Sequence, residues 1–404
     1  MTYTKSLHLA FVYHVPFWEK DGEIWTTFPP IGRYVDSLAP HFKKVTIASP
    51  KPLVSDQPLY RMKASNLAIF TVKPHPNLQS YYFHLVSFYI SYLRAAPDWD
   101  LVNVRMPTLT GYPAYLAARF YHKPVFLVVV GENLNFLSLA SYSGIKKWAI
   151  NIIARLQDFL MKRMIRNSLT FTNGEDLFKK FKPYNEQVYP MRSSTISQSD
   201  LLPDVRDTCC QTPFRILTVA TVAPRKGTVL IPEIIAALKY EGIDISWTYI
   251  GNTDGNAGEQ ELEKTLKLAC ELGVSSQIRF HKAVGFDELV SFYRSSDIFV
   301  LPTYMEGVPR VILEAQASGL PVITTSVGGI PQAVENGIDA ILTSPGNLVE
   351  IVAAIQKVIQ DPNFRRGLIS KGLETAQKFT LESETKRMLD KVEEVCFTNE
   401  KKRN

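Results

Sequence analysis

Cysteine is scarce in this 404-residue chain. The four present, Cys209, Cys210, Cys270 and Cys396, form no Cys-x-x-Cys pair and no Cys/His cluster. That pattern offers neither a zinc site nor a disulfide framework, and it suits a reducing, cytoplasmic setting. Long apolar runs are missing too. The nearest approach, Leu85 to Leu93, falls short of the ~18 residues a membrane span requires. The chain enters a strand pattern at 7–13 without the apolar core and small-residue cleavage site of a secretory signal. Charge of one sign is also lacking: 45 Lys and Arg face 39 Asp and Glu, a net +6. This balance suits an anionic ligand or weak attraction to acidic lipid, and is too small for a nucleic-acid-binding chain. No Gly-x-Gly-x-x-Gly follows an opening strand, so a dinucleotide oxidoreductase has no support.

What is there is alternation. Short β-rich runs and helical patterns succeed one another, which predicts parallel sheets with crossover helices. Strands are expected near 7–13, 44–48, 67–72, 101–104, 125–130 and 169–172, with helices near 31–41, 80–95, 110–120, 144–166 and 174–181. The stretch 192–213 is rich in Ser, Thr, Asp and Pro and reads as a linker. After it the alternation restarts at strand 214–221 and continues to strand 321–325. Helices near 347–360, 363–377 and 381–396 close the chain. The expected domains are 1–195 and 214–380, joined by 196–213. The final segment, 381–404, is expected to pack back toward the N-terminal domain. At ~100–200 residues per domain, two α/β domains fit the length.

The richest stretch is 297–337. Asp297-Ile298-Phe299-Val300-Leu301 is a buried-type strand that runs into Pro302-Thr303-Tyr304-Met305-Glu306-Gly307-Val308-Pro309. A helix pattern follows and stops at Gly319. Pro309 suits a first helical turn and Gly319 a C-terminal cap. Ligands of open α/β sheets sit beyond the carboxyl ends of the strands. Gly307 permits close approach of a ligand to the backbone, and the free N–H groups of the first helical turn favour a phosphate. Glu306 precedes the helix. Glu314 lies about five residues inside it, roughly 7–8 Å along the axis, and leans back toward the N-terminus. The two carboxylates then serve different parts of one ligand, unlike a hydrolase pair sharing one bond. A solvent-facing Glu306 and an ordinary helical Glu314 are the plain alternative.

The wider string runs Glu306-Gly307-x-Pro309-x4-Glu314-Ala315, then Ala317-x-Gly319-x-Pro321-Val322, then Gly328-Gly329-Ile330-Pro331. It closely resembles the donor site of the retaining GT-B glycosyltransferases known as family 4, over about residues 214–380. The resemblance implies an α/β GT-B fold, with two Rossmann-like doubly wound domains facing across a cleft. It also implies a nucleoside-diphosphate sugar held by the C-terminal domain. By it, Glu314 would hold the donor ribose, Glu306 would sit by the transferred sugar, and the backbone of Gly307, Val308 and Pro309 would cradle the pyrophosphate and sugar.

Strand 214–221 leads into Val222-Ala223-Pro224-Arg225-Lys226-Gly227. A lysine at a strand-to-helix turn can meet a diphosphate as a mobile point charge and neutralise charge on a leaving diphosphate. Lys226-Gly227 matches the family's Lys-Gly. The family's Gly-Arg pair falls near Ala220-Thr221, so its first basic residue is absent, and Arg225 is the neighbouring substitute. The family's Gly-Gly loop after the first strand is absent as well. In its place stands the aromatic stretch 14–25, suited to sugar stacking, to an apolar carrier lipid, or to packing on its own domain. The histidine that often follows the fifth strand is missing. Glu132 and Asn133, in Gly131-Glu132-Asn133-Leu134-Asn135, are the acceptor-side candidates, with a capping segment as the alternative.

Three weaker signals remain. Asp98-Trp99-Asp100 has the look of an Asp-x-Asp metal motif, but it directly precedes strand 101–104 and is read as strand-initiating, so no metal is expected. His281 ends a strand and reads as a partly buried histidine rather than a base-stacking one. The segment 144–166 sets Lys146, Lys147, Arg155, Lys162, Arg163 and Arg166 among Trp148, Ile152, Leu156 and Phe159. Such a basic amphipathic helix either lies on an anionic membrane face or serves as an interdomain helix with a solvated side.

The reading that follows is a retaining hexosyltransferase. It would move a sugar from a nucleoside diphosphate to a glycan, a lipid-linked or a small-molecule acceptor, in a context such as surface polysaccharide synthesis. Lys226 and Glu306 are its catalytic residues. Arg225, Lys226, Glu306, Gly307, Val308, Pro309 and Glu314 are its donor-binding set. No cofactor is required, no nucleic acid partner is expected, and the expected location is cytoplasmic or peripheral on the cytoplasmic membrane face. A sugar-phosphate isomerase or phosphorylase of the same fold, and a non-catalytic nucleotide-sugar-binding protein, are the alternatives.

Overall fold

The computed structural model describes residues 3–54, 56–74, 78–131 and 144–397. Residues up to Ser193, together with those from Leu381 onward, form one compact unit, and Ser194–Thr380 form another.

The first unit is built on β1 (His8–Val12), β4 (Lys44–Pro50), β6 (Leu67–Val72), β7 (Leu101–Met106), β8 (Val125–Val129), β9 (Leu169–Asn173) and β10 (Val188–Met191). These pair in parallel in the order β10-β9-β8-β7-β1-β4-β6. Runs such as Val-Phe-Leu-Val-Val in β8 are buried throughout, as strands covered on both faces must be. One face carries α1 (Pro29–Leu38) and the closing helix α13 (Leu381–Phe397), with Tyr34, Met388 and Val392 in a shared core. The other face carries α2 (Leu78–Ala95), α3 (Gly111–Phe120) and α4 (Gly144–Arg166), whose Phe88, Ala114 and Met161 meet one core. The short α5 (Glu175–Phe181) links β9 to β10.

Composition did not show β10 or a small antiparallel sheet of β2 (Phe17–Lys20), β3 (Glu23–Thr26) and β5 (Tyr60–Arg61). The aromatic stretch 14–25 is therefore not a loop. Asp21 and Gly22, at φ 55° and 77°, make a two-residue turn that only such residues accept readily. Trp18 faces Trp25 across the hairpin, and Phe17 is fully buried.

The second unit repeats the plan with β11 (Phe214–Val219), β12 (Ile245–Ile250), β13 (Ile278–His281), β14 (Ile298–Leu301), β15 (Val322–Thr325) and β16 (Ile341–Thr343). All pairs are parallel, in the order β13-β12-β11-β14-β15-β16. Its helices are α6 (Ile231–Tyr240), α7 (Gly255–Glu271), α8 (Phe286–Ser295), α9 (Arg310–Ala317), the single turn α10 (Ile330–Ala333), α11 (Leu348–Gln360) and α12 (Pro362–Lys378). Gly319 ends α9 at φ +66°. In both sheets the strand order reverses beside the first strand, and in the second the switch lies between β11 and β14.

Of the stretch 192–213, read as a linker from composition, the residues from Ser194 onward lie within the second unit. Leu202 donates to the Ala317 carbonyl at 3.0 Å. The Arg206 guanidinium donates to the carbonyls of Gly319, Tyr293 and Ser296 at 3.2, 3.1 and 2.7 Å. Among the described residues, no helix is long and apolar enough to cross a membrane.

Candidate functional site

The site grows from the switch point of the second sheet. β11 ends at Val219, and the chain passes through a single 3₁₀ turn, Pro224–Lys226. β14 ends at Leu301, and the loop 302–309 carries Glu306 up to α9. Backbone atoms stitch these two loops together. The Arg225 carbonyl accepts the Tyr304 N–H at 2.8 Å and the Thr303 hydroxyl at 3.0 Å. Gly227, at φ +67°, sits so close to Pro302 that any Cβ would run into its carbonyl oxygen. From the other side, the loop after β15 presses Gly328, at φ +52°, against the Glu306 carbonyl. Gly329 donates to the Gly307 carbonyl at 3.0 Å.

This frame brings Lys226 and Glu306 together. The ammonium donates to the Glu306 carboxylate, and the two side chains are only 9% and 12% exposed. Burial pushes the Lys226 pKa below the usual lysine value, while the Glu306 carboxylate opposes that shift. A buried cation balanced by one carboxylate is poised to exchange that partner for another anion. On its open side Gly307 has nothing within 4 Å of where a Cβ would stand, so a ligand can lie against its main chain.

Glu314 is buried on α9, and its carboxylate is already engaged. One oxygen accepts from the Thr195 hydroxyl, and the other from the Tyr293 hydroxyl at 3.0 Å. Two lone pairs remain for a further donor. Burial first, and the adjacent Glu314 second, raise the Tyr293 pKa well above the ordinary phenol range, so Tyr293 stays a donor. Thr195 and Tyr293 lie about 100 residues apart in the chain and belong to no motif, so spacing gave no hint of them. Arg225 meets Asp254 at 3.5 Å, both half-exposed. An exposed pair at that distance contributes little. Val308 is partly buried and Pro309 buried, with Pro309 leading into α9. Glu132 and Asn133 lie outside the described residues.

The remaining candidates have structural partners. Asp100 accepts the His8 N–H at 2.8 Å and anchors the start of β1. Trp99, between the two acids, is buried. Among the described residues no group of three or more His, Cys, Asp and Glu could hold a metal ion. His281 is half-buried, with its ring 5.1 Å from that of Phe292.

Residues 210–375 match the family described as "Glycosyl transferases group 1". The chain is 37% identical over 130 residues to D-inositol 3-phosphate glycosyltransferase of Streptomyces bingchenggensis, covering 32% of this chain and 28% of that one. It spans less than half the length of the curated relatives it matches. Sucrose-phosphate synthase from Thermosynechococcus elongatus superposes with a TM-score of 0.70 at 14% identity, over 96% of this chain and 99% of that one. Anabaena HepE in complex with UDP does so with a TM-score of 0.67 at 15% identity, over 96% and 100%. At such identities the likeness shows the fold. The fold is GT-B, an α/β architecture of two Rossmann-like domains, and the residues that match the group 1 family lie within the second unit.

Proposed function

We propose that this protein is a retaining glycosyltransferase that uses a nucleoside-diphosphate hexose, with the donor bound at the switch point of the second sheet. The observation that carries the reading is the buried Lys226–Glu306 pair, set beside the open backbone of Gly307 at the start of α9. A lysine with one replaceable carboxylate partner meets a diphosphate well. The N–H groups of the first turn of α9 supply further donors. Glu314, fixed by Tyr293 and Thr195, is assigned to the ribose hydroxyls. UDP is the base to test first, because HepE is a structural neighbour solved with UDP.

In the proposed reaction the bond between the anomeric carbon and the diphosphate oxygen breaks with its electron pair on the diphosphate. Lys226 and the α9 amides hold that charge as it develops. The acceptor hydroxyl then bonds to the anomeric carbon from the face the diphosphate left, and its proton passes to a diphosphate oxygen. Glu306 stabilises the positive charge on the sugar. The first unit is assigned the acceptor, a glycan or a lipid-linked sugar such as surface polysaccharide synthesis uses. The same reading sets the enzyme at the cytoplasmic side, with no cofactor.

The test is a thermal-shift screen of UDP-, GDP- and ADP-sugars followed by product analysis. One nucleotide sugar should raise the melting temperature, and an acceptor should release free nucleoside diphosphate with the anomeric configuration kept. Stabilisation by sugar phosphates alone, with no release of nucleoside diphosphate, would overturn the reading.

A further inference from the structure

Three helices of the first unit, α2, α3 and α4, form one layer on one face of its sheet, with their inner side chains in a common core. They are tied laterally as well. The Tyr112 hydroxyl donates to the Gln157 carbonyl at 3.0 Å, and Gln157 Nε2 donates to the Tyr82 hydroxyl at 3.4 Å. The sheet side of this layer is fully accounted for by that core.

The outward side is unusual. A surface helix normally turns its apolar stripe inward and a polar one to water. On α4 the inward stripe is Ala154, Gln157, Asp158, Met161, Met164 and Ile165. The opposite stripe is Trp148, Ile152, Leu156 and Phe159, every one exposed and Trp148 at 68%. These recur at helical spacing, so they share a face. α2 repeats the pattern with Phe83 at 84% exposure, Val86 and Ile90. α3 adds Leu116 and Phe120, also exposed. Large side chains gathered this densely on one layer mark an interaction surface, not scattered exposure.

The charges select the partner. α2 and α3 contain no Asp or Glu, and α4 contains only Asp158, which turns inward and pairs with Lys162 at 2.7 Å. The same helices carry Arg94, Arg119, Lys146, Lys147 and, toward the end of α4, Arg155, Lys162, Arg163 and Arg166. The whole chain is close to balanced, so this layer concentrates its positive excess. Arg155 and Arg163 are exposed beside the apolar stripe. A second copy of this chain would bring cations against cations. An anionic surface with an apolar interior satisfies both halves of the pattern.

We propose that the outward face of α2, α3 and α4 docks on an anionic lipid bilayer, with Trp148, Phe159 and Phe83 entering the headgroup region and the neighbouring arginines meeting lipid phosphates. The protein lies on the membrane by this face and does not span it. The inference is independent of the donor-site reading, because these helices belong to the other unit.

The test uses the full chain and two kinds of vesicle, phosphatidylcholine alone and phosphatidylcholine mixed with phosphatidylglycerol. Co-sedimentation should favour the mixed vesicles by about ten-fold, and added salt should remove most of that preference. Trp148→Ala/Phe159→Ala and Arg155→Glu/Arg163→Glu should each cut binding by about ten-fold without lowering the melting temperature. Trp148 is the one exposed tryptophan of the five. Mixed vesicles should therefore blue-shift the emission, and Trp148→Phe should abolish the shift while the protein stays folded. Equal binding to both vesicles, or no change in the variants, overturns the proposal. So does a wild-type dimer that these substitutions disperse, which would assign the face to a second copy.

Discussion

Replacing Glu306 by glutamine separates two roles that the site combines. In the free protein Lys226 donates to the Glu306 carboxylate, and both are largely out of solvent. An anionic donor must take Lys226 from that carboxylate or share it. A hydrogen bond to a charged partner nets about 1.5–3 kcal/mol, and one to a neutral amide about 0.5–1.5 kcal/mol. Glutamine therefore weakens the competitor by about 1 kcal/mol, so the nucleoside diphosphate should bind about five-fold tighter. Turnover should fall, because the positive charge that grows on the sugar loses its carboxylate. Lys226→Ala should act in the opposite sense on binding. It removes the charge-assisted contact to the diphosphate and leaves Glu306 unpaired beside an anion, so affinity should fall about ten- to hundred-fold. Calorimetric titration of UDP into the two variants and the double variant measures all three terms. If Glu306→Gln weakens UDP as much as Lys226→Ala does, Lys226 is not in competition between carboxylate and diphosphate, and the donor-site assignment fails. Wild-type turnover in Glu306→Gln would remove Glu306 from the chemistry.

The same pair fixes a pH dependence. Burial lowers the Lys226 pKa and Glu306 raises it, so diphosphate affinity should be lost as pH rises through a value below the ordinary lysine range. In Glu306→Gln that loss should begin at lower pH, as titrations across the alkaline limb would show. Gly227→Ala should cost about 1–3 kcal/mol, because the residue combines positive φ with contact against the Pro302 carbonyl, and it should reduce turnover beyond its effect on stability. Asp297 accepts N–H bonds from Arg215 and Cys209 and an ion pair from the Arg215 side chain. Burial raises its pKa, yet these partners outweigh burial and hold it below the ordinary aspartate value. A depressed carboxyl stabilises above the unfolded pKa and loses that contribution as pH falls through the folded value. Asp297→Asn should then cost about 1.5–3 kcal/mol at neutral pH and flatten the acid loss below about pH 4, read by denaturant melts.

Most strands and helices were legible because each announces itself locally. β8 and β14 are unbroken apolar runs, and α9 opens on Pro309 and stops at Gly319. The β2–β3 hairpin was legible in principle: Asp21-Gly22 between aromatic, β-prone segments is a strong short-range turn signal. Other features could not be read locally. The Thr195 and Tyr293 bonds to Glu314, and the Arg206 contacts that fix 194–213, join residues far apart in the chain. The apolar outer stripe of α4 was visible as hydrophobic residues, but its exposure depends on which face the sheet covers.

The frame around Glu306 and Lys226 is held by glycines, main-chain carbonyls and the hydroxyls of the buried Thr303 and Thr325. Met305 and Ser326, on the loops so joined, are exposed. If the site binds a sugar donor as proposed, mutational drift at such positions would retune which sugar is accepted while the scaffold stays intact. A library randomised at Met305 and Ser326 should keep folded members at high frequency, whereas one randomised at Gly227 and Gly328 should return almost only glycine. A site braced in this way is evolvable in its preference and conservative in its geometry.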